Sequence, residues 1–191
     1  MTLPESVKRV PKIGMRNVKT SLAVAICAFI YHFYPTRSPA FACIGAISGM
    51  GSDLHSSKIN GGNRFFGTII GGLIGMALFW VYLQFYPEGG HTWLLIPLCF
   101  VGTMILIVLC QLFWVGGVQP GGVVMCIVLF NTPVQDYIPY ALNRMFDTGV
   151  GVLIALLVNS CFPGGFTFQW TKRVYLGLKY GGEQSGFRPK E

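Results

Sequence analysis

Residues 61–75 read GGNRFFGTIIGGLIG, and the chain returns to the same pattern at residues 141–158, ALNRMFDTGVGVLIALLV. Placing Asn143 on Asn63 also matches Arg64 with Arg144, Phe66 with Phe146, Thr68 with Thr148, Gly71 with Gly151, Leu73 with Leu153 and Ile74 with Ile154. In each copy an Asn-Arg pair leads into an apolar run with small residues on one helical face: Gly67, Gly71 and Gly75 in the first, Gly151 in the second. An internal repeat is a statement about architecture, two copies of one structural unit. The helical spacing predicts an all-α fold.

Working outward, the composition says where such helices lie. Of 191 residues 52% are hydrophobic and only 11% charged, far from a soluble balance. The lipid bilayer is therefore the expected partner. Cys27, Cys43, Cys99, Cys110, Cys126 and Cys161 all lie in apolar runs, so they read as free thiols acting as small hydrophobes rather than as a disulfide framework. The net charge of +7 does not point to nucleic acid, because the basic residues sit at the edges of apolar segments. They fit the positive-inside pattern of a membrane protein instead.

Six apolar segments follow one another. The first runs from Val18 to Tyr34 behind Lys8, Arg9, Lys12, Arg16 and Lys19, and reads as an uncleaved first span because several more follow. Pro35-Thr36-Arg37-Ser38-Pro39 breaks it. The second segment, residues 40–51, makes only about 18 Å of helix against roughly 30 Å of hydrocarbon. A polar stretch, Ser52 to Asn63, then separates it from a third segment beginning at Arg64, with Asn60-Gly61-Gly62 interrupting the helix start. Trp93 and Trp114 bracket the fourth, about 31 Å apart on a helix, which puts an indole at each interface. Residues 116–122, GGVQPGG, break the chain before a short fifth segment, Val123 to Phe130. The sixth begins near Asp136 as N-cap with Pro139 in its first turn, and ends at Phe162-Pro163.

Each half is thus long, short, long, with helices 2 and 5 short. The expected organisation is a basic cytosolic N-terminus at residues 1–17, a transmembrane domain at 18–163 with repeats at about 18–86 and 92–163, and a basic cytosolic or interfacial tail at 164–191. If all six segments span, three spans per repeat make the halves inverted; if the short ones are re-entrant, the repeats are parallel. Both place the termini on one side, the cytosol, since residues 1–19 and 166–191 each carry five Lys/Arg. Six spans are preferred, because Lys58 and Arg64 then also face the cytosol and only Arg37 and Arg144 lie outside.

Nothing resembles a catalytic constellation. His32, His55 and His91 are scattered, no Cys/His spacing suits a metal, and the glycine-rich turns lack the Lys-Ser/Thr of a phosphate-binding loop. No enzyme activity, cofactor or metal is expected.

The paired Asn-Arg differs in kind. A cation in the first turns of a helix opposes the macrodipole by roughly 0.3–1 kcal/mol. An anion would offset that, held by free backbone N–H groups and a guanidinium. Arg64, Asn63 and Thr68, with Arg144, Asn143 and Thr148, are the candidate substrate-binding residues; the bland alternative is arginines snorkelling to headgroups. Asp147, three residues after Arg144, can pair with it as a gate or structural ion pair, which leaves Arg64 the freer cation; Asp53 could reach Arg64 if the loop folds back. Gly45, Gly49, Gly67, Gly71, Gly75 and Gly151 read as helix-packing positions within or between protomers.

Ile13-Gly14-Met15-Arg16 with Lys19-Thr20, Asn63-Arg64 before Gly67-Thr68-Ile69-Ile70-Gly71, and Ala141-Leu142-Asn143-Arg144 before Asp147-Thr148-Gly151 and Leu157-Val158-Asn159 resemble the aromatic acid exporter family, within the fusaric acid resistance superfamily of bacterial inner-membrane proteins. The resemblance covers roughly residues 11–163. It implies a six-span domain, multi-pass placement in a bacterial plasma membrane, export of small organic anions such as aromatic carboxylates, and a homodimer; many family members carry a long cytosolic C-terminal domain, and this chain is expected to be a short form that departs from them there. The contrasting expectation is a non-transporting accessory or scaffold protein whose repeats only pack.

Overall fold

The computed structural model describes residues 14–162 apart from 88, 91 and 114. The basic stretch before residue 14, Trp114 and the tail from residue 163 lie outside the described residues. Six helices follow in order: α1 (Met15–His32), α2 (Ala40–Gly49), α3 (Leu54–Phe85), α4 (Leu95–Phe113), α5 (Val118–Asn131) and α6 (Tyr137–Cys161). Single turns of 3-10 helix at Thr92–Leu94 and Val115–Gly117 lead into α4 and α5. Among the described residues there is no strand, and all six cysteines are free.

Three helices, α3, α4 and α6, are long and apolar enough to cross a membrane, while α2 and α5 are shorter. The helix α1, read above as the first span, is not in that group; its 18 residues include Arg16, Lys19 and His32, which lower its hydropathy.

Two boundaries differ from expectation. The third helix starts at Leu54 rather than Arg64, because the Asp53 carboxylate caps it, accepting from the Ser56 amide at 3.2 Å. It then runs unbroken through Asn60-Gly61-Gly62. A glycine inside a helix costs about 1 kcal/mol relative to alanine, but here Gly61 lies against Val152 of α6, where a Cβ would approach Val152 Cγ1 to 2.6 Å. Packing outweighs propensity. Likewise Pro120, Gly121 and Gly122 lie inside α5 instead of breaking it. Pro120 is the third residue of that helix, where its missing N–H has no intrahelical partner to lose. Pro139 holds the same place in α6, whose N-cap Asp136 makes no side-chain capping bond.

The packing exchanges partners between the two halves. One core joins α1, α2 and α6 through Ala23, Cys27, Ala42, Ala46, Met50 and Ala155. A second joins α3, α4 and α5 through Ile74, Leu78, Leu106, Cys110, Met125 and Leu129. The long last helix of each half thus lies on the short helix of the other. The contacts are backbone on backbone: a Cβ on Gly71 would fall on the carbonyl oxygen of Gly121, and one on Gly151 would fall on that of Ala42. Gly45 and Gly49 lie against Thr148 and Val152 of α6, and Gly67 and Gly75 against Gly117 and Val128. Between the cores α3 crosses α6 antiparallel, since Gly61, Phe65 and Gly72 meet Val152, Gly149 and Met145 in descending order.

Candidate functional site

Because α3 begins at Leu54, Asn63 and Arg64 sit in its third turn, and Asn143 and Arg144 in the second turn of α6. Neither pair stands at exposed backbone N–H groups, which belong to the first four residues of a helix. The helix-terminus argument for an anion therefore does not hold, and any anion here is a matter of side chains. Asp53 is engaged in capping with Ser52 and Ser56, and stands eleven residues from Arg64 on one helix, about 16 Å, out of reach.

The structure places Asp147 with a partner that the local sequence does not offer. Asp147 pairs not with Arg144 but with Arg37, whose Nη1 donates to Asp147 Oδ1 at 3.0 Å. The Tyr31 hydroxyl donates to the same oxygen at 2.7 Å, and Arg37 Nη2 donates to Asn143 Oδ1 at 2.8 Å. The guanidinium also lies 4.9 Å from the Phe146 ring centre. The carboxylate is 2% exposed, so its charge is neutralised inside the fold by a cation reaching in from the α1–α2 loop. Arg37 and Tyr31 are functional candidates that sequence reasoning missed; the available signal was a solitary arginine fixed between Pro35 and Pro39.

Deprived of Asp147, Arg144 takes a different environment. Its guanidinium carbon lies 3.3 Å from the centre of the Phe41 ring and 4.3 Å from that of Tyr140. Its Nε is buried without a hydrogen-bond partner, and so is the Thr148 hydroxyl one turn along. Aromatic rings hold the faces of the cation while the in-plane N–H edge remains for a planar acceptor. Arg64 shares the orphaned, buried Nε, with no carboxylate partner among the described residues. Helical geometry projects Arg64 between the α3 face on α6, Gly61 and Phe65, and the face on α5, Gly67 and Gly71. Thr68 donates its hydroxyl to the Arg64 carbonyl at 2.8 Å, so it braces its own helix. Asn63 lies against Gly116, and Asn143 accepts from Arg37.

The two arginines are thus not brought to one point. They stand on adjacent antiparallel helices, each a cation without a carboxylate partner among the described residues, in a largely apolar bundle. No group of three or more His, Cys, Asp or Glu that could hold a metal occurs among the described residues.

Three helices long and apolar enough to cross a bilayer, with helices joined backbone to backbone at glycines, suggest a class: a helical membrane protein. A family model described as aromatic acid exporter family member 1 matches residues 11–162. The chain belongs to the aromatic acid exporter family, a family of transporters rather than of enzymes. No curated protein and no solved structure matches the chain.

Proposed function

We propose that this protein is a bacterial plasma-membrane exporter or channel for small organic anions of the aromatic carboxylate class, with Arg64 and Arg144 as substrate-facing cations. One observation carries the reading: two arginines at matching places of a repeated motif both keep a buried, unpartnered Nε, while Asp147, the carboxylate on the same helix face, is held by Arg37 and Tyr31. Polar groups left unsatisfied inside a membrane domain are costly, and an arginine without a counter-ion favours an anion. A benzoate-type anion suits Arg144 on both counts, its carboxylate meeting the N–H edge and its ring the aromatic surroundings.

Asn63, Asn143, Thr68 and Thr148 assist by positioning the arginines, Thr148 with a hydroxyl still free to bond. Arg37 with Asp147 acts as the gating or structural pair. The halves are inverted repeats with six spans and both termini in the cytosol; the antiparallel crossing of α3 and α6, the equivalent helices of the two copies, supports inversion over the parallel arrangement. The assembly is a homodimer.

Vesicles containing the full chain test this reading. Labelled hydroxybenzoate is expected to cross them faster than protein-free vesicles, and Arg64→Ala to slow it. Flux no faster than in protein-free vesicles would leave the accessory or scaffold role, and unchanged flux in the variant would remove Arg64 from the path.

A further inference from the structure

Apart from the three arginines, a further cation is buried, about 18 Å along α6 from the Arg37–Asp147 pair. Lys19, on the first turns of α1, is 4% exposed, and among the described residues its one polar partner is the side-chain oxygen of Asn159 on α6, 2.9 Å away. Asn159 in turn donates from Nδ2 to the Ser57 hydroxyl oxygen on α3 at 2.7 Å, and Ser57 also accepts the Gly51 amide at 2.7 Å. Asn159 and Ser57 are as buried as the lysine. Three helix ends meet here.

The direction of these bonds decides what the cluster can receive. An ammonium only donates, which fixes the Asn159 oxygen toward Lys19 and its amide toward Ser57. Both lone pairs of the Ser57 oxygen are then occupied by Asn159 and Gly51, so Ser57 cannot accept from Lys19. Among the described residues, what remains is two ammonium N–H groups and one hydroxyl hydrogen, all donors. As a strut between helices this is a poor choice, since a buried charge satisfied by one neutral oxygen is costly while an apolar residue of similar size would pack without penalty. As a receptor for a carboxylate it is complementary in charge and in hydrogen-bond polarity.

Its place in the fold adds the second step. Lys19 faces Asn159 and Tyr31 faces Asp147, so α1 lies antiparallel along α6, with the Lys19 cluster near the C-terminus of α6 and the Asp147 cluster about 18 Å away near the middle of that helix. We infer that Lys19, Asn159 and Ser57 form a second carboxylate subsite at the end of the bundle where α1 and α3 begin and α6 ends, about 18 Å along α6 from Arg37 and Asp147. It is the first or last contact of the anion on the face that carries the start of α1. The inference rests on the transport reading and names the residues that serve one face of it.

Side-resolved flux of labelled hydroxybenzoate tests it, with the full chain in phosphatidylethanolamine–phosphatidylglycerol vesicles sorted by orientation. Lys19→Gln is expected to raise the half-saturating concentration about tenfold, the loss of a charge-assisted hydrogen bond, from the α1-start face and not from the other. Asn159→Asp is the sharper variant. It keeps the link between α1 and α6, now as an ion pair, but supplies Lys19 with a resident carboxylate, so it should hold its melting temperature and lose affinity from the same face. Equal effects from both faces, or full affinity in Asn159→Asp, would reduce the cluster to a strut and overturn the inference while leaving transport standing. Flux absent from the wild-type chain would overturn both.

Discussion

Arg37 and Asp147 are 110 residues apart in the chain and 3.0 Å apart in the fold. The shift that carries Asn63 onto Asn143 carries Gly67 onto Asp147, and carries Arg37 onto Gly117. Gly67 and Gly117 are themselves in contact, so close that a Cβ on Gly67 would overlap the Gly117 carbonyl. The two halves of the bundle therefore meet at equivalent places by different means, an ion pair at one and bare backbone at the other. That asymmetry leaves Arg144 without its nearest carboxylate.

The ion pair should carry stability as a unit. Arg37 is one-third exposed and Asp147 fully buried, so solvent weakens the pair from the arginine side, whereas removing Arg37 strands a buried charge. Arg37→Ala and Asp147→Ala should each lose about 2 kcal/mol, within the range for hydrogen bonds to charged groups. The double variant should lose clearly less than the two added together. Reversible unfolding in mixed micelles measures all three, and additive losses would mean that the residues act independently.

Close approach predicts a different pattern at the glycines. Gly71→Leu and Gly151→Leu should each destabilise by about 3 kcal/mol or more, because the new side chain meets a backbone carbonyl of Gly121 or Ala42 that has no room to yield. Gly122 is the internal control. A Cβ there meets only Leu106 Cδ2, at 3.7 Å, so Gly122→Ala should be neutral or stabilising by up to about 1 kcal/mol through helix propensity. Melting of the three variants ranks them directly.

At the start of α3, the Ser56 hydroxyl and amide, with help from Ser52, lower the Asp53 carboxyl from 3.8 to about 2. A folded value below the unfolded one means that the ionised cap stabilises the helix fully above about pH 3.8, and that this contribution is lost as pH falls through about 2. Asp53→Asn should therefore differ from wild type most above pH 3.8 and converge with it toward pH 2. Amide exchange in the first turn of α3, compared between the two chains across that range, reads the effect apart from other titrating groups. A constant difference over the whole range would separate the cap from its charge.

How much of this was legible in the sequence depended on distance along the chain. Apolar run length and the prolines at 35, 39, 87 and 133 act locally, so six helices with the second and fifth short could be read directly. The start of α3 could not, because Asn60-Gly61-Gly62 looks like a break until Val152, far along the chain, fills the face those glycines leave open. The partner of Asp147 failed for the same reason. Spacing on one helix suggested Arg144, but the carboxylate is met instead by the Tyr31 hydroxyl and by a loop arginine that also bonds Asn143, while Arg144 faces two rings. Lys19 read as one more basic flank residue, and only the meeting of three helix ends buries it.

The setting of Arg144 yields the prediction most specific to transport. Stacking on Phe41 and Tyr140 requires a flat cation, and a bidentate grip on a carboxylate requires the guanidinium edge. Arg144→Lys keeps the charge but loses both, so it should raise the half-saturating hydroxybenzoate concentration about tenfold. Phe41→Leu should produce part of that loss with the charge and the edge intact, since it removes only the ring beneath the cation. If snorkelling to lipid were the whole role of Arg144, lysine would serve as well. Full flux affinity in Arg144→Lys would assign the residue to the headgroups, and a graded loss, lysine worse than Phe41→Leu, would assign it to the anion.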